Sequence, residues 1–315
     1  MPFDPSKDIP DLSGKVIFIS GGTAGIGRTT VLALVLHNPS HVYFTGRNAK
    51  AGADVVSEAN RLAPKCKVTF IPCDLSSSRK TIRDALLEHF RSARLDLFIA
   101  NAGIMAVAPS LTAEGFEAQF GTNYFGHAIL LHLLRPAMLR TAEASNDSDV
   151  RFVVLSSSGH ALHHPGGIQF DKLKMPDSGS PWQRYGQSKL ADILLAKNMA
   201  KHFPQITSVS VHPGLVTTRL GERAQPSLMM RFLTLLSWTP LSVTAEEGAH
   251  NTLWAAMAPK NTLENGAYYK PVGKLPAKKS LMSGVAAICS DEDLADRLWE
   301  WTETELEGLE HLPQH

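Results

Sequence analysis

The sequence predicts an α/β fold in which a parallel sheet is covered by helices on both faces. Short β-branched runs alternate with longer stretches of helical period. The runs are apolar almost throughout rather than at every second residue, and a glycine-rich turn follows the first of them. In order, Lys15–Ser20 reads as a buried strand and Gly25–His37 as a helix. His41–Thr45 is a second strand and Ala51–Leu62 a helix; Val68–Pro72 is a third strand and Lys80–Phe90 a helix. Leu95–Ala100 is the fourth strand, followed by helical stretches at Ala113–Phe120 and Asn123–Leu139. Arg151–Ser156 is the fifth strand, Gln183–Lys201 a helix and Thr207–Val211 the sixth strand. Beyond Val211 the pattern becomes irregular. A segment rich in Met and Trp, Leu228 to Trp238, precedes a helix over Ala245–Ala256. Ala267–Lys270 is a candidate last strand. An amphipathic C-terminal helix is expected over 291–310, where Asp291–Leu309 carries Leu294, Leu298, Trp301 and Leu306 on one stripe. Glu143–Asp149 is a polar surface turn. No composition break divides the chain, so a single domain is expected over residues 1–315.

Composition excludes several classes of function. Hydrophobic residues make up 43% and charged residues 19%, an ordinary globular balance. A net charge of +1 gives no sign of a nucleic-acid or anionic-membrane partner. Cys66, Cys73 and Cys289 are few, odd in number and without metal spacing, which fits a reducing compartment. The N-terminal MPFDPSKDIPDLSGK lacks the apolar core of a secretory signal, and no apolar run is long enough to span a membrane. A soluble, cytoplasmic protein is the expectation. The stretch Leu228–Val243, broken by Arg231 and Pro240, leaves room for a peripheral membrane contact.

The chemistry starts at the glycine turn. Gly21, Gly25 and Gly27 follow the first strand and open the first helix, where the backbone must turn sharply and let a phosphate approach its N–H groups. The spacing is G-x-x-x-G-x-G, not the common G-x-G-x-x-G, and a ligand-free tight turn is the plain alternative. An NAD site places an acid about 20 residues beyond the glycines. That region reads Tyr43-Phe44-Thr45-Gly46-Arg47-Asn48 and has none. Arg47, with Asn48 and Arg28 beside it, suits a 2′-phosphate, so NADP(H) is expected over NAD(H). Asp74, after the third strand, would accept from an adenine amino group or cap the next helix.

Tyr185 and Lys189 lie one helical turn apart, on one face. A free phenol ionises near pH ~10, and a neighbouring ammonium favours its phenolate. Tyr185 is therefore a candidate proton donor and acceptor. Ser157, in the run Ser156-Ser157-Ser158, would fix a substrate oxygen beside it. Asn123 would sit in a helix whose backbone opens to hold a water leading to Lys189.

Taken together, these residues resemble the short-chain dehydrogenase/reductase superfamily, and within it the retinol-dehydrogenase-like branch. The resemblance runs from Lys15 to about Thr218 and rests on Gly21/Gly25/Gly27, Asp74-Leu75, Asn101-Ala102-Gly103, Asn123, Ser156-Ser157, Tyr185 with Ser188-Lys189, and Pro213-Gly214-Leu215-Val216-Thr217-Thr218. It implies a Rossmann-like doubly wound domain with a seven-stranded parallel sheet. It also implies a tetrad of Asn123, Ser157, Tyr185 and Lys189, with Ser156 and Ser158 as second choices to Ser157. Cofactor contacts are implied at Gly21, Thr23, Gly25, Ile26, Gly27, Arg47, Asn48, Asp74, Leu75, Asn101, Ala102, Gly103, Tyr185, Lys189, Pro213, Gly214, Val216 and Thr218. Asn101 would line the adenosine ribose and Thr218 the nicotinamide carboxamide. A homodimer through Asn123–Leu139 and Gln183–Lys201 is a family habit.

Two departures stand out. Ser20 replaces the usual Thr at the start of the turn, and 27 residues separate Ser157 from Tyr185. That loop carries His160, His163, His164 and Trp182. No carboxylate or cysteine shares a metal spacing with the histidines, so no metal is expected and a pocket wall is preferred. Residues 219–243, with Met229, Met230, Phe232 and Trp238, would form a lid over a hydrophobic carbonyl or alcohol; core packing of a helix is the plainer account. The competing reading of the whole chain is a redox-silent nucleotide-binding or isomerase member of the same fold. A third is an enzyme acting on a sterol or lipid at a membrane surface.

Overall fold

The computed structural model describes residues 3–216, 224, 226, 242–276 and 287–313. Seven strands form one sheet: β1 (Val16–Ile19), β2 (His41–Gly46), β3 (Lys67–Pro72), β4 (Leu97–Ala100), β5 (Arg151–Leu155), β6 (Thr207–Val211) and β7 (Tyr268–Tyr269). Their order is β3-β2-β1-β4-β5-β6-β7, and every pair is parallel. The described helices are α1 (Pro5–Asp8), α2 (Gly25–Val35), α3 (Ala49–Leu62), α4 (Arg79–His89), α5 (Ala118–Phe120), α6 (Gly126–Glu143), α7 (Pro181–His202), α8 (Ala245–Met257) and α9 (Glu292–Glu305). The chain winds outward from β1 to β3, then resumes at β4 on the other side of β1. The crevice at the carboxyl ends of β1 and β4 is thus a topological switch point.

Alternate residues of each central strand serve opposite faces, which is why β1 and β4 are apolar throughout and β5 is apolar after Arg151. Phe18, Phe98, Phe152 and Val154 enter one buried cluster with residues of α4, α6, α7 and α9. Ile17, Ile19, Ile99, Val153 and Val209 enter a second with α2, α3 and α8. Helix starts follow capping chemistry. Asn48 caps α3, Ser78 caps α4 and Asp291 caps α9. Ser180 with Gln183 and Thr244 with Glu247 form capping boxes on α7 and α8.

One expected element is mostly absent. The helix read over Ala113–Phe120 is reduced to Ala118–Phe120. Gly115 sits at φ +80°, and the Thr112 and Phe116 backbones close a turn on each other. Glu117 then caps the helix by accepting from the Gln119 and Phe120 N–H groups. The following stretch starts earlier than expected, because the helical path continues from Ala118 through a wide turn at Gly121–Phe125 into α6.

The C-terminal helix determines what α6 and α7 can do. Trp301 of α9 packs edge-on to Phe116, Phe120 and Phe125, at ring distances of 5.4, 5.7 and 5.9 Å. Asn198 of α7 donates to the Ala295 carbonyl at 2.7 Å, and Tyr124 shares a 2.6 Å hydrogen bond with Thr302. These contacts cover part of the surface of the helical stretches named for a homodimer. Among the described residues, no helix is long and apolar enough to cross a membrane.

Candidate active site

The glycine turn joins β1 to α2 under close steric control. Gly21 and Gly25 have φ of +69° and +52°, the left-handed region that glycine enters without penalty. A Cβ on Gly27 would stand 2.2 Å from the Gly21 carbonyl oxygen. Asn101, at the end of β4, donates its amide to the carbonyls of Ser20 (2.9 Å) and Gly21 (3.1 Å), so its side chain is spent in part on holding the turn. The N-cap of α2, Ala24, supplies no side-chain acceptor, and the first turn of the helix has no acid. Its free N–H groups and positive dipole end suit an anionic ligand such as a pyrophosphate.

Beside the turn, Thr23, Arg47, Asn48, Ala49 and Lys50 line a cleft of about 600 Å³. Arg47 is exposed, and no acid lines the cleft. Lys50 is a member that sequence reasoning missed, although a lysine in the first turn after Arg47 was the signal for it; it also pairs with Asp54 at 3.0 Å. Asn48 accepts from the Ala51 N–H as the cap of α3. Arg28 does not join the cleft as a free cation, because its guanidinium is paired with Glu58. Asp74 does not cap the following helix, a role that falls to Ser78. Its Oδ1 instead accepts from the Ser76 N–H and hydroxyl at 2.9 and 2.8 Å.

The candidate reacting groups lie around the carboxyl end of β5. Lys189 points its ammonium under that strand end, donating to the Leu155 carbonyl at 2.8 Å and to Asp192 Oδ2 at 2.8 Å. Tyr185 and Ser157 both flank Gly159. A Cβ there would lie 2.8 Å from the Tyr185 ring and 3.3 Å from Ser157 Oγ. The serine run divides its tasks. Ser156 is buried and donates to the Lys189 carbonyl at 2.7 Å, whereas Ser158 is exposed. Ser157 caps the 3₁₀ turn at Ser158–Leu162, accepting from the Gly159 N–H at 3.0 Å.

Asn123 lies within the wide i→i+5 turn Gly121–Phe125. Its amide donates to the Ile104 carbonyl (3.0 Å) and Ser188 Oγ (2.9 Å), and its Oδ1 accepts from the Ile104 N–H (2.8 Å). Gly103 lies alongside, where a Cβ would stand 3.3 Å from Asn123 Oδ1 and 3.7 Å from Lys189 Nζ. Leu75 packs beneath the start of α6, where a Cβ on Gly126 would meet it at 2.7 Å. Past β6, Gly214 has φ +97° and Val216 bridges to Val243, placing this segment at the same sheet edge. Thr218 and nearly all of the expected lid, 219–243, lie outside the described residues.

The loop between Ser157 and Tyr185 packs against α7. A Cβ on Gly186 would meet the Leu162 and His163 backbone at 2.6 Å. His160 and His163 bond to the backbone carbonyls of Ser157 and His164. Among the described residues, no three His, Cys, Asp or Glu side chains are placed to share a metal.

His127 was given no role from the sequence, because its partners Ser20 and Asn123 come together only in the fold. Ser20 Oγ accepts from the Asn101 and Ala102 N–H groups at 2.9 and 3.0 Å, which leaves its proton for His127 Nε2 at 2.7 Å. The opposite nitrogen, Nδ1, then donates to the Asn123 carbonyl at 2.6 Å. A neutral imidazole thereby ties the glycine turn to Asn123. Burial pushes His127 down from 6.5 to about 3, with the Asn123 hydrogen bond pulling the other way. The unfolded chain binds this proton below pH 6.5 and the native protein does not. The His127 contribution is therefore present above pH 6.5 and lost as pH falls toward 3. His41 and His212, each lowered to about 4 by burial, act in the same direction. His127→Phe is expected to lose about 2–3 kcal/mol at pH 7.5, because two buried groups lose their partner. Urea denaturation at pH 7.5 and 5 should also show a shallower acid loss in the variant than in the wild type.

Comparison with known proteins agrees with this geometry. The family model for short chain dehydrogenase matches residues 15–161. A Schizosaccharomyces pombe protein described as an uncharacterized oxidoreductase is 32% identical over 97% of this chain and 89% of its own. A short-chain dehydrogenase/reductase of Aspergillus calidoustus is also 32% identical, over 96% of this chain and 97% of its own. Among solved structures, an uncharacterized protein of Mycobacterium paratuberculosis superposes with a TM-score of 0.71 at 24% identity, covering 99% of this chain and 100% of that one, a likeness of fold. On these relatives and this sheet, the chain is an oxidoreductase that belongs to the short-chain dehydrogenase/reductase family.

Proposed function

We propose that the protein is an NADP(H)-dependent oxidoreductase that interconverts a carbonyl and an alcohol on a hydrophobic substrate, with Tyr185 as the general acid and base. The observation that carries this reading is the meeting of Tyr185 and Ser157 around Gly159, with the Lys189 ammonium held under the end of β5 by Leu155. A bound nicotinamide supplies or accepts the hydride. The residues present fit that group: the turn at Gly21–Gly27 and the uncapped start of α2 would hold its pyrophosphate, and Arg47 with Thr23, Asn48 and Lys50 would hold a 2′-phosphate. Gly103, Pro213, Gly214 and Val216 line the same edge of the sheet.

In the direction of reduction, Ser157 donates a hydrogen bond to the substrate oxygen and fixes it beside Tyr185. Tyr185 gives that oxygen its proton, and Lys189 stabilises the phenolate that remains. Asn123 holds the strand-end backbone at Ile104 and the Ser188 hydroxyl, which itself donates to the Tyr185 carbonyl at 2.8 Å. Asn123 thus braces the helix turn that carries both reacting groups. Trp182 stands edge-on to Tyr185 at 6.4 Å and puts an apolar surface beside it, which suits a hydrophobic substrate. The three free, buried cysteines suit a reducing compartment such as the cytoplasm.

The reading is tested by following NADPH oxidation with a panel of aromatic and polycyclic ketones. Turnover by the wild type is expected; its absence across the panel, despite nucleotide binding, would favour a redox-silent role. Arg47→Ala is expected to reduce the ratio of kcat/KM with NADPH to that with NADH by about 10- to 100-fold, the worth of one charge-assisted contact. An unchanged ratio would remove Arg47 from the cofactor site.

A further inference from the structure

Asp192 lies one turn beyond Lys189 on α7, and the proposed reaction gives it no task. Its side chain is wholly buried, and Oδ2 accepts from Lys189 Nζ at 2.8 Å. The second oxygen, Oδ1, is buried with no hydrogen-bond partner among the described residues. A buried carboxylate oxygen left without a donor is costly and calls for an explanation. The Asp192 carboxylate spends its contact on the ammonium beneath Tyr185. That ammonium donates at the same time to the Leu155 carbonyl, so two of its three protons are fixed, and it lies close to Gly103 at the site.

We propose that Asp192 is a positioning residue for the reaction: it fixes the Lys189 ammonium below Tyr185, and its charge sets how much of the ammonium's field reaches the Tyr185 hydroxyl. The proposal rests on the reading of Tyr185 as the proton donor.

The electrostatic surroundings are few. On α7 they are Lys189 and, through it, Tyr185. From the wide turn comes Tyr124, bonded to Thr302 of α9 and near Glu303; from α6 comes the neutral His127, which also feels Lys189. Burial disfavours a charge on Lys189, but the Asp192 carboxylate and Tyr185 outweigh it and hold the ammonium above its usual range. Burial pushes the Asp192 carboxyl up to about 7, against the pull of Lys189. With Asp192 ionised, the carboxylate offsets much of the ammonium's charge as seen from Tyr185. With Asp192 neutral, the ammonium acts alone and favours the phenolate.

Asp192→Asn preserves shape and removes the charge. Its Tyr185 is expected to ionise at a pH lower by about one unit, a tenfold change in the ionisation constant. Two readouts follow. One is the tyrosinate absorbance titration of the cofactor-free protein, with Tyr185→Phe identifying the signal. The other is the pH profile of kcat/KM for alcohol oxidation, whose acid limb should move down by the same amount. A merely structural Asp192 would change activity or stability and leave both midpoints in place. Midpoints that stay put, or move upward, overturn the proposal. Should Asp192→Asn fail to fold, Asp192→Ala carries the same titrations. The two readings fail separately: full turnover by Tyr185→Phe sinks the parent reading, whereas an inactive Tyr185→Phe beside unshifted Asp192→Asn midpoints sinks only this one.

Discussion

Replacing Tyr185 by Phe is expected to lower kcat for carbonyl reduction by about a hundredfold or more, with nucleotide affinity and thermal stability close to the wild type. The substitution separates chemistry from architecture unusually well here. The Tyr185 ring is buried against Gly159 and Trp182, and Phe keeps that packing. Among the described residues, no hydrogen bond to the Tyr185 hydroxyl is present, so its removal orphans no buried partner. What is lost is the one acidic proton that Lys189 and Ser157 frame. The measurement is NADPH oxidation under saturating ketone, alongside fluorescence titration of NADPH and a melting curve. A variant that keeps a tenth or more of wild-type kcat would show that the proton comes from elsewhere. The runner-up donors within reach of the strand end would then be water or Ser157.

Most of the sheet and much of the site were legible because they obey local rules. Strands buried on both faces need apolar residues at nearly every position; β1 and β4 have them throughout, and β5 has them after Arg151. The glycine turn is legible because side chains are sterically excluded at Gly27, and Tyr185 and Lys189 because a helix puts residues four apart on one face. The failures are contacts made across the sequence. Arg28 looked like a free cation until the fold set Glu58, on the neighbouring helix, against its guanidinium. Of the two roles open to Asp74, the cap is taken by Ser78, and Asp74 Oδ1 accepts from Ser76 instead. His127 and Asp192 sit in apolar helices and look like ordinary interruptions. Only the fold brings one against Ser20 and the other against Lys189. The C-terminal helix α9 was legible from its amphipathic stripe, but the parts of α6 and α7 that it covers were not.

The largest loss of stability is expected at a pair that sequence inspection passed over, Glu117 and Arg184. Both side chains are buried to 1% exposure or less and joined at 3.1 Å. Every group of the guanidinium is used: Nε on Glu117, one terminal nitrogen on the Gly179 carbonyl at 2.6 Å and the other on the Val107 carbonyl at 3.0 Å. Glu117 Oε2 in turn accepts the Gln119 and Phe120 N–H groups. The pair thus locks three segments that frame the site, and Arg184 directly precedes Tyr185. Burial already raises the Glu117 carboxyl above the usual range, and its N–H donors and Arg184 oppose that shift. Arg184→Met would leave a buried carboxylate and two carbonyls without their cation, a loss of about 3–5 kcal/mol in urea denaturation. The double variant Glu117→Leu with Arg184→Met should recover part of it, since an apolar pair has no charge to desolvate, although the Gln119 and Phe120 N–H groups then lose their cap. A single-variant loss below about 1 kcal/mol would mean that water reaches the pair and that the segments around Tyr185 are held by packing instead.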